Sequence, residues 1–347
     1  SSLELWEQVK DAIDKTSPLS KFGDCTWLLG QEISQSADLK TIRVNQRSKI
    51  EALLERYTSV GNPRKTPLPP GWSSQEGWIP TTKQHERETV EKARKAGLDK
   101  LGHYKEFIHE FRSLLGALAH IALWCRIDIK QAVFLLARHQ ARPGIEHWNG
   151  LRSILKYLKG TKDLEMIYGS RSTGNDIVRA QVDSDYCGNK ADTKSTTGYV
   201  IWVYGSVVYC ESRKQRATTL STTEAELVAA SDCVKMLRYI RRLLTEDFRI
   251  NVPTIPLGED NQGCIHLAHD GGNWKRKRHI RVANSYLYEE VTIHESVAIR
   301  YVKSSENVAD MMTKCLPAPA FMKHRDTLMG QIDKYWYVKG GNEMKEN

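Results

Sequence analysis

Four carboxylates, in chain order Asp183, Glu226, Asp260 and Asp310, have the types and settings to do chemistry together. Oxygen ligands of this kind hold hard divalent cations, and two such cations can support phosphodiester hydrolysis. The acids are far apart in sequence, so the fold must bring them together from the ends of different elements. Asp183 closes an apolar, strand-like run, IVRAQVDSD. Glu226 lies in the first turns of a long helical segment, STTEAELVAASDCVKMLRYIRRLL, and Asp260 closes a second strand-like run before a helix, PLGEDNQGCIHLA. Asp310 lies in a short helix after a third strand, VAIRYVKSSENVADMMTK.

Other acids stand beside these four, and elementary geometry separates some of them. Ser221 reads as an N-cap with Glu224 at the third helical position, a capping box that gives Glu224 a local role. Glu226 is two residues further, about 200° around the helix, and cannot face the same point. It borders the apolar stripe Ala225, Ala229, Met236, Ile240. Asp183 and Asp185 are two apart, so both face one side of a continuing strand and spacing does not choose between them. Alternation puts Glu259 on the face opposite Asp260. Glu306 falls in a first turn, where a carboxylate suits the helix dipole.

The elements that must position these acids follow from periodicity. Residues 1–60 read as helix, hairpin, helix, and 61–104 as a Pro-rich linker followed by a charged helix. Residues 105–168 carry helical spacing, with Phe107, Phe111, Leu114, Leu115 and Leu118 on one stripe. The turn-rich stretch 169–175 is the expected boundary. From 176 to 318 the pattern becomes three β-rich runs, the last two a hairpin across Gly205-Ser206, then alternating helices and strands. That predicts an α/β layer with a mixed five-stranded sheet, three strands antiparallel and two more joined by helices. Trp202 and Tyr204 alternate along a strand and are expected in the core. Residues 319–347 read as a final helix and tail.

Bulk properties agree with a nucleic-acid partner and exclude little else. The 347 residues exceed the usual single-domain size, so two or three domains are expected. The formal net charge is +9 and the pI about 9.1, a balance that favours anionic partners. The densest basic run is Lys275, Arg276, Lys277, Arg278, His279, with Lys194, Arg213, Lys214 and Arg216 as further phosphate contacts on the first β-ribbon. No apolar run reaches the ~18 residues of a membrane span, and no signal peptide is visible, so an intracellular setting, cytoplasmic or nuclear, is expected. The seven cysteines contain no C-x-x-C pair, which argues for reduced thiols and against a zinc site. The first residue is Ser rather than Met, as expected of a segment cut from a longer protein.

Taken together, the words around the acids resemble the ribonuclease H region of copia-type retrotransposon polyproteins. DSDYCGNKADTKSTTGYV, ESRKQRATTLSTTEAELVA, EDNQGCIHLA, RHIRVANSYLYEEV and SENVADMMTKCLP are similar to that family's runs. Upstream, WLLGQEI, EFRSLLGALAHIALWCRIDIKQAVFLLAR and HWNGLRSILKYLKGTKDLEMIYG look like its words between polymerase palm and ribonuclease H. The resemblance covers roughly residues 20–320. It implies a ribonuclease H-like α/β domain at 176–318, preceded by a palm edge with primer-grip hairpin (1–60) and a mainly helical thumb/connection region. It further implies cleavage of the RNA strand of an RNA–DNA hybrid with two Mg²⁺, for which Mn²⁺ could substitute. Asp183 would bridge both ions, Asp310 would hold the one that activates water, and Glu226 and Asp260 would complete the other shell. The rest of the polyprotein is an implied partner, and a virus-like particle an implied setting.

Departures from the family pattern limit this. Its Lys-His-Ile-Asp word stands here as Arg278-His279-Ile280-Arg281, a cation in place of an acid. The loop before the last acid, VKSSEN, holds no His, which leaves His279 as the nearest candidate for proton shuttling. No Asp-Asp dipeptide occurs, so polymerase activity is not expected from this chain alone. Two rival readings remain: an inactive nucleic-acid-binding remnant, and a DNA-cutting nuclease of the same superfold, which the order and separations of the acids disfavour.

Overall fold

A computed structural model describes residues 2–16, 25–73, 75, 78–169, 176–188, 193–270 and 278–331. Of the expected boundary at 169–175, Gly169 is described and ends a strand, while 170–175 and the tail beyond 331 lie outside the described residues. The first part of the chain runs α1 (Ser2–Thr16), β1 (Trp27–Leu28), β2 (Gln31–Gln35), β3 (Thr41–Asn45) and α2 (Arg47–Arg56). Then come α3 (Lys83–Lys95), α4 (Tyr104–Trp124), α5 (Lys130–Ala137), α6 (Ile145–Gly160) and β4 (Met166–Gly169). β1 to β4 form an antiparallel sheet in that order, and β4 returns over a long separation to pair Val44 with Met166.

The second part alternates as expected. Its strands are β5 (Val178–Asp185), β6 (Thr196–Val203), β7 (Ser206–Lys214), β8 (Ile255–Glu259) and β9 (Val297–Tyr301). Its helices are α7 (Thr222–Arg242), α8 (Gln262–Asp270), α9 (Arg278–Tyr288), α10 (Asp310–Thr313) and α11 (Ala318–Leu328). The sheet order is β7-β6-β5-β8-β9. β5, β6 and β7 pair antiparallel, while β8 and β9 extend the sheet in parallel from β5. This is the mixed five-stranded α/β sheet that the chain's periodicity predicts. The β6–β7 turn is one residue earlier than expected: Tyr204 (φ 47°) and Gly205 (φ 79°) take the positive φ that a tight hairpin turn requires. Tyr204 is therefore exposed, whereas Trp202, on the strand proper, is buried.

Strand alternation divides this sheet between two cores. Val178, Ala180 and Val182 of β5, with Tyr199 and Ile201 of β6, pack under α7, α8 and α9. Val200 and Trp202 of β6 point the other way, into a core shared with Met311, Met312 and Phe321 and with the upstream helices through Phe107, Leu118 and Trp148. Gln181 and Asp183 occupy that second face of β5 and are buried as well. The upstream helices thus pack on the sheet that carries the acids.

One buried ion pair organises the helical layer. Arg126 and Asp128, both with fully buried side chains, join through two bonds of 2.9 and 2.8 Å. The guanidinium also donates to the Thr161 carbonyl and hydroxyl at the end of α6, and the Tyr157 hydroxyl donates to Asp128. The pair ties the end of α4 to α6. Asp128→Ala leaves a guanidinium buried without its counter-charge and is expected to destabilise the protein by ~3–5 kcal/mol. A urea midpoint unchanged from wild type would contradict this.

A carboxylate cluster at the sheet end

β5 places Asp183 near its carboxyl end, opposite Gly198 of β6. α7 begins with the Ser221 cap the sequence announces: Ser221 accepts from the Glu224 amide, and the Glu224 carboxylate accepts from the amide of Leu220, one residue before the cap. Glu224 is thereby consumed locally, and Glu226 is the acid that α7 delivers to the sheet end. Asp260 follows the last residue of β8, and Ser304 donates to it from the loop after β9 at 2.5 Å. Ligand oxygens of Asp183, Glu226 and Asp260 lie within 4.8 Å of one another, close enough to hold one cation. Asp183, and not Asp185, belongs to that group.

Asp310, the first residue of α10, sits to one side of the three. It reaches Asp183 through Lys314, whose ammonium lies 3.2 Å from Asp183 Oδ1 and 3.1 Å from Asp310 Oδ1. The Thr313 hydroxyl donates to the other oxygen of Asp183. This approach of α10 to the sheet depends on a glycine. A Cβ on Gly198 would stand 2.5 Å from Thr313 Cγ2 and 2.7 Å from Met312 Cβ. The loop before α10 is held to β5 by two buried amides. Asn307 Nδ2 donates to the Val182 carbonyl at 2.8 Å, and Gln181 Oε1 accepts from the Val308 amide at 2.8 Å.

Sequence reasoning missed one acid that shapes the site. Glu259 shares the strand face of Ile255 and Leu257 and is fully buried beneath α7 and α8. Its Oε1 accepts from the Asn261 amide at 2.9 Å, and its Oε2 has no partner among the described residues. Alternation does separate it from Asp260, yet this face leads toward Glu226. Burial, then repulsion from Glu259, Asp183 and Asp260, raises Glu226 well above the carboxylate range. Burial likewise raises Glu259. Burial and the neighbouring Asp183 push Asp310 up to about 7, against the pull of Lys314. The signal for Glu259 was present as an acid at the end of an apolar strand.

The basic residues divide. Lys194, Arg213 and Lys214 stand at the same sheet end as the acids, since Asp185 pairs with Thr196 and Thr196 with Lys214. Arg213 is ion-paired to Asp232 of α7. Lys275, Arg276 and Lys277 lie outside the described residues, and Arg278 and His279 open α9. The seven cysteines form no disulfide. No described helix is long and apolar enough to cross a membrane.

A donor set of clustered carboxylates, with a buried Glu226 oxygen that has no partner among the described residues, fits a hard divalent cation. Its absence should be felt as pH rises. Groups whose folded pKa is raised bind protons more tightly in the native state, so stability falls as they ionise. In EDTA the melting temperature is expected to fall between pH 4 and about 7, the interval between the ordinary Asp value of 3.8 and that of Asp310. Mg²⁺ should raise it more at pH 7.5 than at pH 5. A melting temperature that climbs across this interval in EDTA would be the contrary result.

No family model matches the chain. Over 316 residues, 90% of the chain, it is 29% identical to the retrovirus-related Pol polyprotein from transposon TNT 1-94 of Nicotiana tabacum. It is 30% identical over 215 residues, 61% of the chain, to the corresponding polyprotein from transposon RE2 of Arabidopsis thaliana. The chain spans 22% and 14% of the lengths of these two relatives. Among solved structures, a ribonuclease H1 isolated from compost matches 43% of this chain and 98% of its own, at 14% identity and a TM-score of 0.31. The ribonuclease H1 of Halobacterium salinarum matches 39% of this chain and 93% of its own, at 18% identity and a TM-score of 0.28. The fold class rests on the strand order and register given above. By sequence, the chain is a homologue of the retrovirus-related Pol polyproteins of copia-type transposons.

Proposed function

We propose that this chain is a divalent-metal-dependent ribonuclease H that cuts the RNA strand of RNA–DNA hybrids. The observation that carries the reading is the meeting of Asp183, Glu226 and Asp260 within 4.8 Å, with Asp310 joined to Asp183 through one lysine. Asp183 belongs to the group of three and is also linked to Asp310, which supports the reading that it would serve both cations. Glu226 and Asp260 would complete one shell and Asp310 the other. Bound Mg²⁺ or Mn²⁺ would supply positive charge for activating water and stabilising the leaving 3′ oxygen.

The chain's own groups set the rest. Ser304 orients Asp260, Asn307 and Gln181 hold the loop that carries Asp310, and Gly198 keeps α10 against the sheet. Lys194, Arg213 and Lys214 border the cluster and would meet the phosphates of a hybrid, read by backbone shape and 2′-hydroxyls. The basic run 275–279 and His279 keep the same roles, as phosphate contacts and as a proton-shuttle candidate. The remainder of a Pol polyprotein is the proposed covalent context, and polymerase activity is not proposed for this chain.

The test is cleavage of an end-labelled RNA–DNA hybrid with Mg²⁺ at low salt. Asp183→Asn is expected to lower the rate by more than ~10²-fold, because electrostatic stabilisation at the reacting phosphate is lost. Equal cleavage by wild type and Asp183→Asn would sink the assignment. Salt-sensitive binding of the hybrid with no cleavage in Mg²⁺ or Mn²⁺ would leave a nucleic-acid-binding remnant instead.

A further inference from the structure

The cluster is electrically lopsided, and Lys314 makes it so. Its ammonium sits at 3.2 and 3.1 Å from one oxygen of Asp183 and one of Asp310. Among the described residues no ion pair serves the other half, where Glu226 Oε2 is buried without a hydrogen-bond partner. A divalent ion bound to those same oxygens of Asp183 and Asp310 would need the place the ammonium occupies, since Mg²⁺ sits about 2.0–2.1 Å from its ligands. Two cations cannot share that gap. The Asp183 side chain is 2% exposed and that of Asp310 15%, while Lys314 is 39% exposed. The lysine alone of the three has an open route to solvent along its flexible stem.

We infer that Lys314 is a tethered counter-ion that reserves the Asp183–Asp310 half of the site, so that divalent ions fill the two halves with unequal affinity. The Asp183–Glu226–Asp260 half fills first. The second ion enters only when the ammonium swings outward, and an incoming substrate phosphate offers it an anion there. Lys314 is on this view a positioning residue that acts through the carboxylates. The inference rests on the metal-dependent reading above.

Mn²⁺ binding to the full chain, followed by calorimetry at low salt without nucleic acid, tests it. Wild type should take one ion tightly and a second more weakly. Lys314→Met should tighten the second at least about tenfold, because a full charge is removed from beside both ligands. Lys314→Arg, which keeps the charge, should retain the wild-type asymmetry. If Lys314→Met does not give a cooperative melt, Lys314→Gln provides the same reading, with a neutral amide in place of the ammonium. Superimposable Mn²⁺ curves for wild type and the neutral variant would overturn the role of Lys314 and leave the metal-dependent reading intact. No Mn²⁺ uptake by any of the proteins would overturn both.

Discussion

Mutual repulsion among buried carboxylates is the constraint to which the rest of this structure answers. Asp183 is almost inaccessible, Glu226 nearly so, and Glu259 entirely buried. Each would be costly as an isolated charge in a dry interior. Three kinds of relief are visible. Burial and neighbouring charge favour the protonated forms, raising Glu226 and Asp310 above the ordinary carboxylate range. A tethered cation, Lys314, spans two of the acids. Directed donors, from Thr313, Ser304 and the Asn261 amide, occupy single oxygens. Neither the lysine nor these donors reach the Glu226 oxygen that has no partner among the described residues, which is where a mobile divalent ion gains most.

Such repulsion can be borne only by a stiff support, and the division of the sheet between two cores supplies it. The face under α7, α8 and α9 holds Glu226 against β5 and β8. The opposite face holds α10, with Asp310, against β5 and β6. α10 is only four residues long and makes no independent fold. It is held by contacts at both sides: Asn307 and Gln181 before it, and the core contacts of Met311, Met312 and Phe321 around it. Those apolar contacts run into the upstream helical layer, whose geometry Arg126 and Asp128 fix. The acid least regularly placed in the cluster is therefore the one most dependent on the helices before the sheet.

Much of this was legible in the residues, and the failures have physical reasons. Strand and helix periods foretold the mixed sheet, and the spacing of Ser221 and Glu224 marks that competing acid for a local role at the start of α7. Asp183 and Asp185 were inseparable by spacing because a two-residue step keeps both on one face. Only the convergence of α7 and β8 on Asp183 distinguishes them. Glu259 was set aside because alternation speaks of faces, and both faces of this strand lead toward acids once α7 crosses the sheet. Gly198, Asn307 and Gln181 gave no sign at all. Their roles exist only through close approach and pairing across more than a hundred residues of chain. Lys314 stood four residues after Asp310, the spacing of an ordinary helical ion pair. Its second partner, Asp183, comes from the tertiary fold.

The position of the basic residues follows from the same register that places the acids. Asp185, Thr196 and Lys214 are neighbours across three strands, so the end of the sheet that concentrates negative charge also presents cations on its antiparallel edge. A polyanion approaching that edge would meet the lysines before the carboxylates, and screening by salt weakens that first contact more than it weakens buried charge. Strand order alone separates the two kinds of charge along this rim: acids where β5 and β8 lie side by side, cations where β6 begins and β7 ends. The order β7-β6-β5-β8 keeps those cations to one side of the cluster, at whose centre Lys314 is the one ammonium that bridges Asp183 and Asp310 among the described residues.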